Sequence, residues 1–304
     1  MSDGSVVSGF LEAAVRISTP LLLAATGEML TERAGVINLG VEGAMLAGAL
    51  ASAVGAAAAG PWAGVGLAVA AGVLTAAIFA AVAIGMRADQ IITGTAVTLG
   101  SVGLTGGIYR RAFGAAGPLL SLPTLGAAPV PGLEAVPLLG SALFRQPVLT
   151  YVAWALVPAA WWFLFRSWWG LALRATGESA EAARAMGVPV LRLRIFASLF
   201  GGAMSGLAGA TLVLAQVGTF AEKMTAGRGF VAIAIVVLGR WHPLGVLAAA
   251  FLFGGASALQ FVFQSLGLAV PYQLFLVMPY LLALLALAGA VGRSRAPAEL
   301  GRPL

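Results

Sequence analysis

Pro147 to Phe165 runs for 19 residues without one charged side chain, and an uncharged run of that length crosses a hydrocarbon layer as a helix. Similar apolar stretches recur at roughly 10–31, 34–58, 62–86, 90–109, 195–217, 243–266 and 268–291. A further one at 229–239 is too short to cross alone, so it is a half-helix or borrows residues from the preceding segment. A membrane β-barrel would alternate in segments of about 10 residues, whereas these runs are unbroken and about twice as long. The expectation is an all-α polytopic membrane protein with about nine transmembrane helices, eight to ten in all. No long linker or charged tail divides the chain, so residues 1–304 read as a single domain.

Charge sets the orientation. Charged residues make up 9% of the chain, against roughly 25% in a soluble domain, and the mean hydropathy is +0.99. The net charge of +6 is explained by positive-inside topology rather than by nucleic acid. Residues 166–194 hold Arg166, Arg174, Arg184, Arg192 and Arg194 against Glu178 and Glu181, which places that loop in the cytoplasm. Counting spans outward puts Arg33, Arg87, Arg240, Arg293 and Arg295 on the same side, with the N-terminus outside and the C-terminus inside. Arg110 and Arg111 fall on the opposite side and are the exceptions. Residues 112–146, rich in Pro and Gly, read as an external loop. Met1-Ser-Asp-Gly-Ser lacks a basic region, so no cleavable signal peptide is expected.

Within the cytoplasmic loop, Arg174 to Pro189 has the grammar of a short helix. Glu178 and Glu181 suit a first turn. Ala182, Ala183 and Met186 form an apolar stripe at helical spacing. Gly187 stands where a left-handed C′ residue is wanted, and Pro189 stops the helix.

Glu28 to Gly43 is the second unusual stretch, with Glu28, Glu32, Arg33 and Glu42 interrupting apolar sequence. Ionisable groups at membrane depth are costly and mark pathways or sites, although Glu32 and Arg33 also fit a solvated cytoplasmic turn. Asn38 and Glu42, one turn apart, suit buried polar roles. Breaks in the helices near Gly35, Gly40 and Gly43, and again near Gly227 and Gly229, would expose backbone groups to a substrate. Thr93, Thr95, Thr98 and Gln216 are further polar groups inside apolar runs, each able to bind a ligand or to satisfy a neighbouring helix. Gly202 with Gly206, and Ser205 with Gly209, have the four-residue spacing of close helix packing.

Some chemistry is excluded. His242 is the lone histidine and there is no cysteine, so no usual transition-metal site is expected; His242 reads as a solvated or capping residue. Ser257 in Gly255-Ala-Ser lies over 20 Å from that histidine along one predicted helix, which rules out a serine hydrolase pair. No phosphate-binding loop occurs and Lys223 is the sole lysine, so this chain does not hydrolyse ATP by itself. Two rivals remain: an ion-coupled secondary transporter, for which Glu42 is the one plausible coupling carboxylate, and a membrane scaffold.

Three blocks together resemble the sugar/nucleoside (ribose-type, branched-chain-like) permease subunits of bacterial ABC importers. Thr31-Glu-Arg-Ala-Gly-Val-Ile-Asn-Leu-Gly-Val-Glu-Gly43 is similar to their signature. Gly177-Glu-Ser-Ala-Glu-Ala-Ala-Arg-Ala-Met-Gly187 is similar to the loop that engages the ATPase, and residues 229–245 match a third block. The Glu-Arg-Ala-Gly-Val-Ile-Asn form looks most like the nucleoside branch; ribose and other simple sugars are the alternative substrates. The resemblance implies a plasma-membrane permease that binds no cofactor itself, ATP and Mg being held by a partner ATP-binding subunit. It also implies a second, different permease and an extracytoplasmic substrate-binding lipoprotein. The coupling residues would be Gly177, Glu178, Glu181, Ala182, Ala183, Arg184, Met186 and Gly187, with Met186, Ala182 and Ala183 as a knob and Glu181 and Arg184 at its rim. An amphipathic helix lying on the membrane surface is the competing account of that segment.

Overall fold

Apolar side chains gain nothing from water and backbone N–H and C=O groups find no partner in hydrocarbon, so each apolar run closes its own hydrogen bonds as a helix. The computed structural model describes residues 3–113, 121–133, 136, 140–265, 277, 281 and 296–302. Its helices are α1 (Asp3–Arg33), α2 (Val41–Ala59), α3 (Pro61–Phe79), α4 (Gln90–Phe113), α5 (Gly140–Phe144), α6 (Val148–Arg166), α7 (Trp168–Glu178), α8 (Ala180–Ala185), α9 (Val190–Thr211), α10 (Arg228–Leu238) and α11 (Pro243–Ser265). The last turns after α3 and α9 widen into π-helical segments, Ala80–Gly85 and Leu212–Val217.

Six of these segments are long and apolar enough to cross a membrane: Val7–Arg33, Val41–Ala59, Pro61–Gly85, Gln90–Arg111, Val148–Arg166 and Val190–Val217. Arg228–Leu238 and Pro243–Leu259 are shorter apolar helices. The chain is therefore a multi-pass helical membrane protein. The expected final span at 268–291 lies outside the described residues except for the helical positions 277 and 281. The expected second span at 34–58 is helical only from Val41, because residues 34–40 leave the helix.

α9 is the spine. It packs on α1, α2 and α3, and small residues let the backbones touch. A Cβ on Gly206 would collide with Ala68 O and meet Gly72 Cα at 3.1 Å, and one on Gly48 would lie 2.5 Å from Gly206 Cα. Gly202 faces Gly72 O and Ala76 Cβ, and Gly209 faces Met45 O. Apolar contact alone does not drive helices together in lipid, so this close van der Waals fit holds the bundle. Around it lie the fully buried Leu22, Leu23, Met29, Met45, Leu46, Leu212, Leu214 and Ile235. Gly206→Val would overpack both contacts at once, at a cost of about 3 kcal/mol. The expected result is a clearly lowered unfolding temperature in detergent, whereas Gly66→Val, where a side chain meets nothing within 4 Å, leaves that temperature unchanged.

The other face of the bundle is apolar and open. Trp62, Leu74, Ile92, Leu99 and Leu104 are each more than half exposed on α3 and α4, as lipid contact requires. The loop expected at 112–146 carries structure of its own. Ala127–Pro129 (β1) pairs antiparallel with Arg145–Pro147 (β2), matching Ala128 with Gln146. Leu122 N and Leu125 N donate to Gly218 O and Leu214 O, which seats this loop on the end of α9.

Candidate functional site

Residues 34–40 form a break between α1 and α2 that doubles back along α1 and α4. Asn38 N donates to Glu28 Oε1 at 2.9 Å, and Ile37 N donates to Gln90 Oε1 at 2.8 Å. Farther along α4, Thr98 Oγ1 donates to Leu39 O at 2.9 Å. Asn38 Oδ1 then accepts Gly40 N at 2.9 Å, an Asx turn that starts α2. Away from water the unwound backbone must find partners in the protein, and Glu28, Gln90, Asn38 and Thr98 supply them.

A second break faces the first. After Val217 the chain turns through residues 218–227, with left-handed backbone at Lys223 (φ 57°), Ala226 (φ 47°) and Gly227 (φ 82°). α10 begins there and has 11 residues, about 16 Å, half of a bilayer core. Glu42 joins the two breaks. Its Oε1 accepts Thr225 Oγ1 at 2.6 Å and Gly227 N at 2.9 Å, and its Oε2 accepts Gly229 N at 2.7 Å. The carboxylate thus satisfies donors left over at the start of α10 and meets the positive end of that helix. Gly229 is required for the approach, since a Cβ there would lie 2.5 Å from Glu42 Cα.

The six polar residues expected along a substrate path are therefore placed unequally. Asn38, Glu42 and Thr98 gather at the paired breaks, where their side-chain oxygens bond backbone groups and, for Glu42, the Thr225 hydroxyl as well. Thr93 bonds back to Asp89 O just before α4 and Thr95 to Ile91 O within it, and Thr95 is exposed. Gln216 lies apart from the Glu42 cluster: its Nε2 donates to Arg16 O, and it lines a polar cleft of about 260 Å³ with Glu12, Arg16, Arg145 and Gln146.

At the other end of the bundle, the expected 178–186 helix is two elements. Ser167 caps α7 by accepting Gly170 N at 2.9 Å. α7 continues to Glu178, so Glu178 ends one helix rather than opening the next. Ser179 breaks the chain (φ −156°, ψ 101°) and caps α8, its hydroxyl accepting Ala182 N at 3.3 Å. Glu181 keeps its first-turn position. Gly187 is left-handed (φ 80°), and Gly187 N and Val188 N return to Arg184 O and Ala183 O, closing the helix end.

Burial divides the expected coupling residues. Gly177 is buried against Arg33 O, and Ala183 packs with Ala180 and Val190. Gly177 thus seats the end of α7 on the end of α1, Ala183 holds α8 to the start of α9, and neither presents anything outward. Glu178, Glu181, Ala182, Arg184 and Gly187 are exposed, and Met186 at 84% is among the most exposed apolar side chains described. An unpaired thioether at the tip of a well-capped turn is a feature for contact with something outside the chain.

Near this end Trp241 Nε1 donates to Glu32 Oε2, and Arg33 Nε donates to Trp241 O at 2.8 Å. Glu32 and Arg33 thus fasten the turn between α10 and α11, where a solvated role was the simpler expectation. His242 stacks on Phe165 with ring centroids 5.3 Å apart. Burial, then the Arg33 charge, pulls its pKa below the usual histidine range, so it is neutral at pH 7. Among the described residues no group of three or more His, Cys, Asp or Glu could hold a metal.

The family described as "Branched-chain amino acid transport system / permease component" matches residues 10–287. The chain belongs to this family. It is accordingly a permease component, and its work is transport rather than catalysis. It is 36% identical over 310 residues to the guanosine ABC transporter permease protein NupQ of Bacillus subtilis, covering 98% of this chain and 97% of that one. It is 31% identical over 290 residues to the nucleoside ABC transporter permease protein NupC of Lactococcus lactis, covering 92% and 91%. It is 43% identical over 272 residues to TsgC13 of Haloferax volcanii, covering 88% and 81%, a protein whose name marks its glucose ABC transporter assignment as provisional. No solved structure matches this permease.

Sequence reasoning passed over Arg194, Gln90 and Glu299. Arg194 counted only as one more loop arginine, yet it is 1% exposed. Its Nε donates to Ala34 O at 3.2 Å and its Nη1 to Arg302 O at 3.1 Å. Its partners lie 160 and 108 positions away along the chain, beyond any local pattern.

Proposed function

We propose that this permease translocates purine and pyrimidine nucleosides as the membrane subunit of an ABC importer. The observation that carries the nucleoside substrate is the end-to-end similarity to the guanosine and nucleoside permeases, above 90% of both chains in each case. The Glu32-to-Asn38 motif, folded as the first break, agrees with it. The 43% identity to the glucose-type relative favours a second reading, a simple sugar. The two substrates share ring hydroxyls, and only a nucleoside adds a planar base.

In this account a substrate-binding lipoprotein delivers substrate at the end bearing the polar cleft of Glu12, Arg16, Arg145 and Gln216, with the N-terminus on that side. About nine spans carry it across, and the paired breaks at Asn38–Glu42 and Thr225–Gly229 form the narrow part of the path. A second, different permease completes the pore. α8 lies on the cytoplasmic side, where Met186 and Ala182 insert into a cleft of the ATPase and Glu178, Glu181 and Arg184 pair at its rim. Closure of the nucleotide-bound ATPase then pulls α7 and α8 and rocks the bundle.

Substrate choice is tested by calorimetric titration of the lipoprotein partner with guanosine, uridine, ribose, glucose and leucine. Nucleosides are expected to bind at least about 100-fold tighter than ribose, since a buried base adds stacking and hydrogen bonds. Binding of glucose or ribose without nucleosides would move the permease to the sugar reading.

A further inference from the structure

The end of the chain returns to the site just described. Residues 297–302 lie across the α8 end of the bundle and touch four separate elements. Glu299 N donates to Gly177 O at 2.9 Å, in the last turn of α7. Gly301 N donates to Gly35 O at 3.3 Å, in the first break. Gln90 Nε2, at the start of α4, donates to Arg302 O at 3.2 Å, while its Oε1 holds Ile37 N. Arg194, in the first turns of α9, donates to Arg302 O and to Ala34 O and faces Glu299 Oε2 at 3.9 Å. Pro297 is buried and Leu300 packs on the main core.

A guanidinium at 1% exposure is costly unless it is fully partnered. Among the described residues, Arg194 Nε and Nη1 find their acceptors in the first break and in this strap, while the buried Nη2 makes no hydrogen bond and has only the Glu299 carboxylate at 3.9 Å to offset its charge. The strap therefore closes a loop of contacts from α7, through Glu299 and Arg194, to residues 34–37 and the start of α4.

We infer that the 297–302 strap, clamped by Arg194, is the positioning element that carries displacement of α7 and α8 to the 34–40 break. This rests on the permease reading with α8 as the ATPase contact. Gly177 O is two residues from the Ser179 hinge, so a pull on α8 reaches Glu299 at once. Gly35 O and the Ile37–Gln90–Arg302 bridge transfer the same pull to the segment that orders Asn38 and, beyond it, Glu42. Glu299 and Arg194 touch no substrate in this arrangement; they act through the break.

The test uses the complete transporter in proteoliposomes, with the chain ended after Arg295 or carrying Arg194→Gln. Uptake is expected to fall about tenfold while ATP hydrolysis stays within about twofold of the parent. Equal loss of both together with loss of assembled complex would mean the strap is only structural, and unchanged uptake would overturn the inference outright. A second readout is independent of substrate. The chain has no cysteine, so spin labels at Leu171→Cys in α7 and Ile91→Cys in α4, both positions exposed, report the α7-to-α4 distance. The strap account expects one narrow distribution that broadens on truncation; an unaltered distribution contradicts it. If instead the parent transporter hydrolyses ATP without any uptake yet shows the narrow-to-broad change, the nucleoside substrate is wrong and the strap stands.

Discussion

Met186→Asp is expected to abolish substrate-stimulated ATP hydrolysis and uptake while leaving the permease folded and present in the membrane at normal amounts. The side chain is 84% exposed and is not part of the Ala180–Ala183–Val190 cluster that fixes α8. Its loss therefore costs the permease little stability. In an ATPase cleft the same thioether would be a desolvated anchor, and truncating such an anchor typically costs at least about 2 kcal/mol of binding. A carboxylate adds the penalty of burying a charge against apolar walls. Together these predict a fall of at least about 30-fold in stimulated hydrolysis. Glu181→Ala and Arg184→Ala, at the rim, should each lower it only a few-fold and raise its salt sensitivity. Normal hydrolysis and uptake by Met186→Asp would instead leave α8 as a helix resting on the membrane surface.

Glu42→Ala is the substitution expected to damage both stability and transport. It leaves Gly227 N, Gly229 N and the Thr225 hydroxyl without their acceptors, in a region shielded from water. Each buried donor so orphaned costs about 1–3 kcal/mol. The turn they hold contains Lys223 and Ala226 in left-handed backbone, a conformation costing a further 1 kcal/mol or so for each residue. Without Glu42 this turn has lost what over-determines it, and α10 loses the anion at its positive end. A fall in unfolding temperature of several degrees and uptake near background are expected. Glu42→Gln keeps one acceptor oxygen but sets an amide donor against backbone donors, so it should recover part of the stability and little of the uptake. Detergent-solubilised thermal unfolding and initial uptake rates read the two effects separately. A Glu42→Ala protein of parental stability would refute the clasp.

The contrast between these two residues shows which parts of the architecture were visible in one dimension. The helices were, because uncharged runs such as 147–165 have few alternatives. The helix stop at Gly187 was visible as well, since a glycine followed by Val188 and Pro189 has a strong local cause. The break at Ser179 was carried by a local signal too, a serine hydroxyl one residue before a helix start, but two glutamates three residues apart drew the boundary to Glu178. Glu42 stood out as a charge in an apolar run, whereas its three partners lie 183 to 187 residues later and have no local mark. Arg194 illustrates the opposite failure. Counted as a charge it supported a topology argument; as a side chain it is buried, because a segment more than 100 residues away folds over it. Charge counting orients loops and is blind to which arginine the tertiary structure removes from water.

The central claim, that this permease moves nucleosides on energy supplied by a separate ATPase, is tested most directly by initial-rate uptake of labelled guanosine. The assembled transporter is placed in proteoliposomes with the lipoprotein on the receiving face. Uptake should require Mg-ATP on the α8 side, vanish with a non-hydrolysable analogue, and be indifferent to imposed sodium or proton gradients. Uptake that proceeds without ATP and follows an ion gradient would contradict the account.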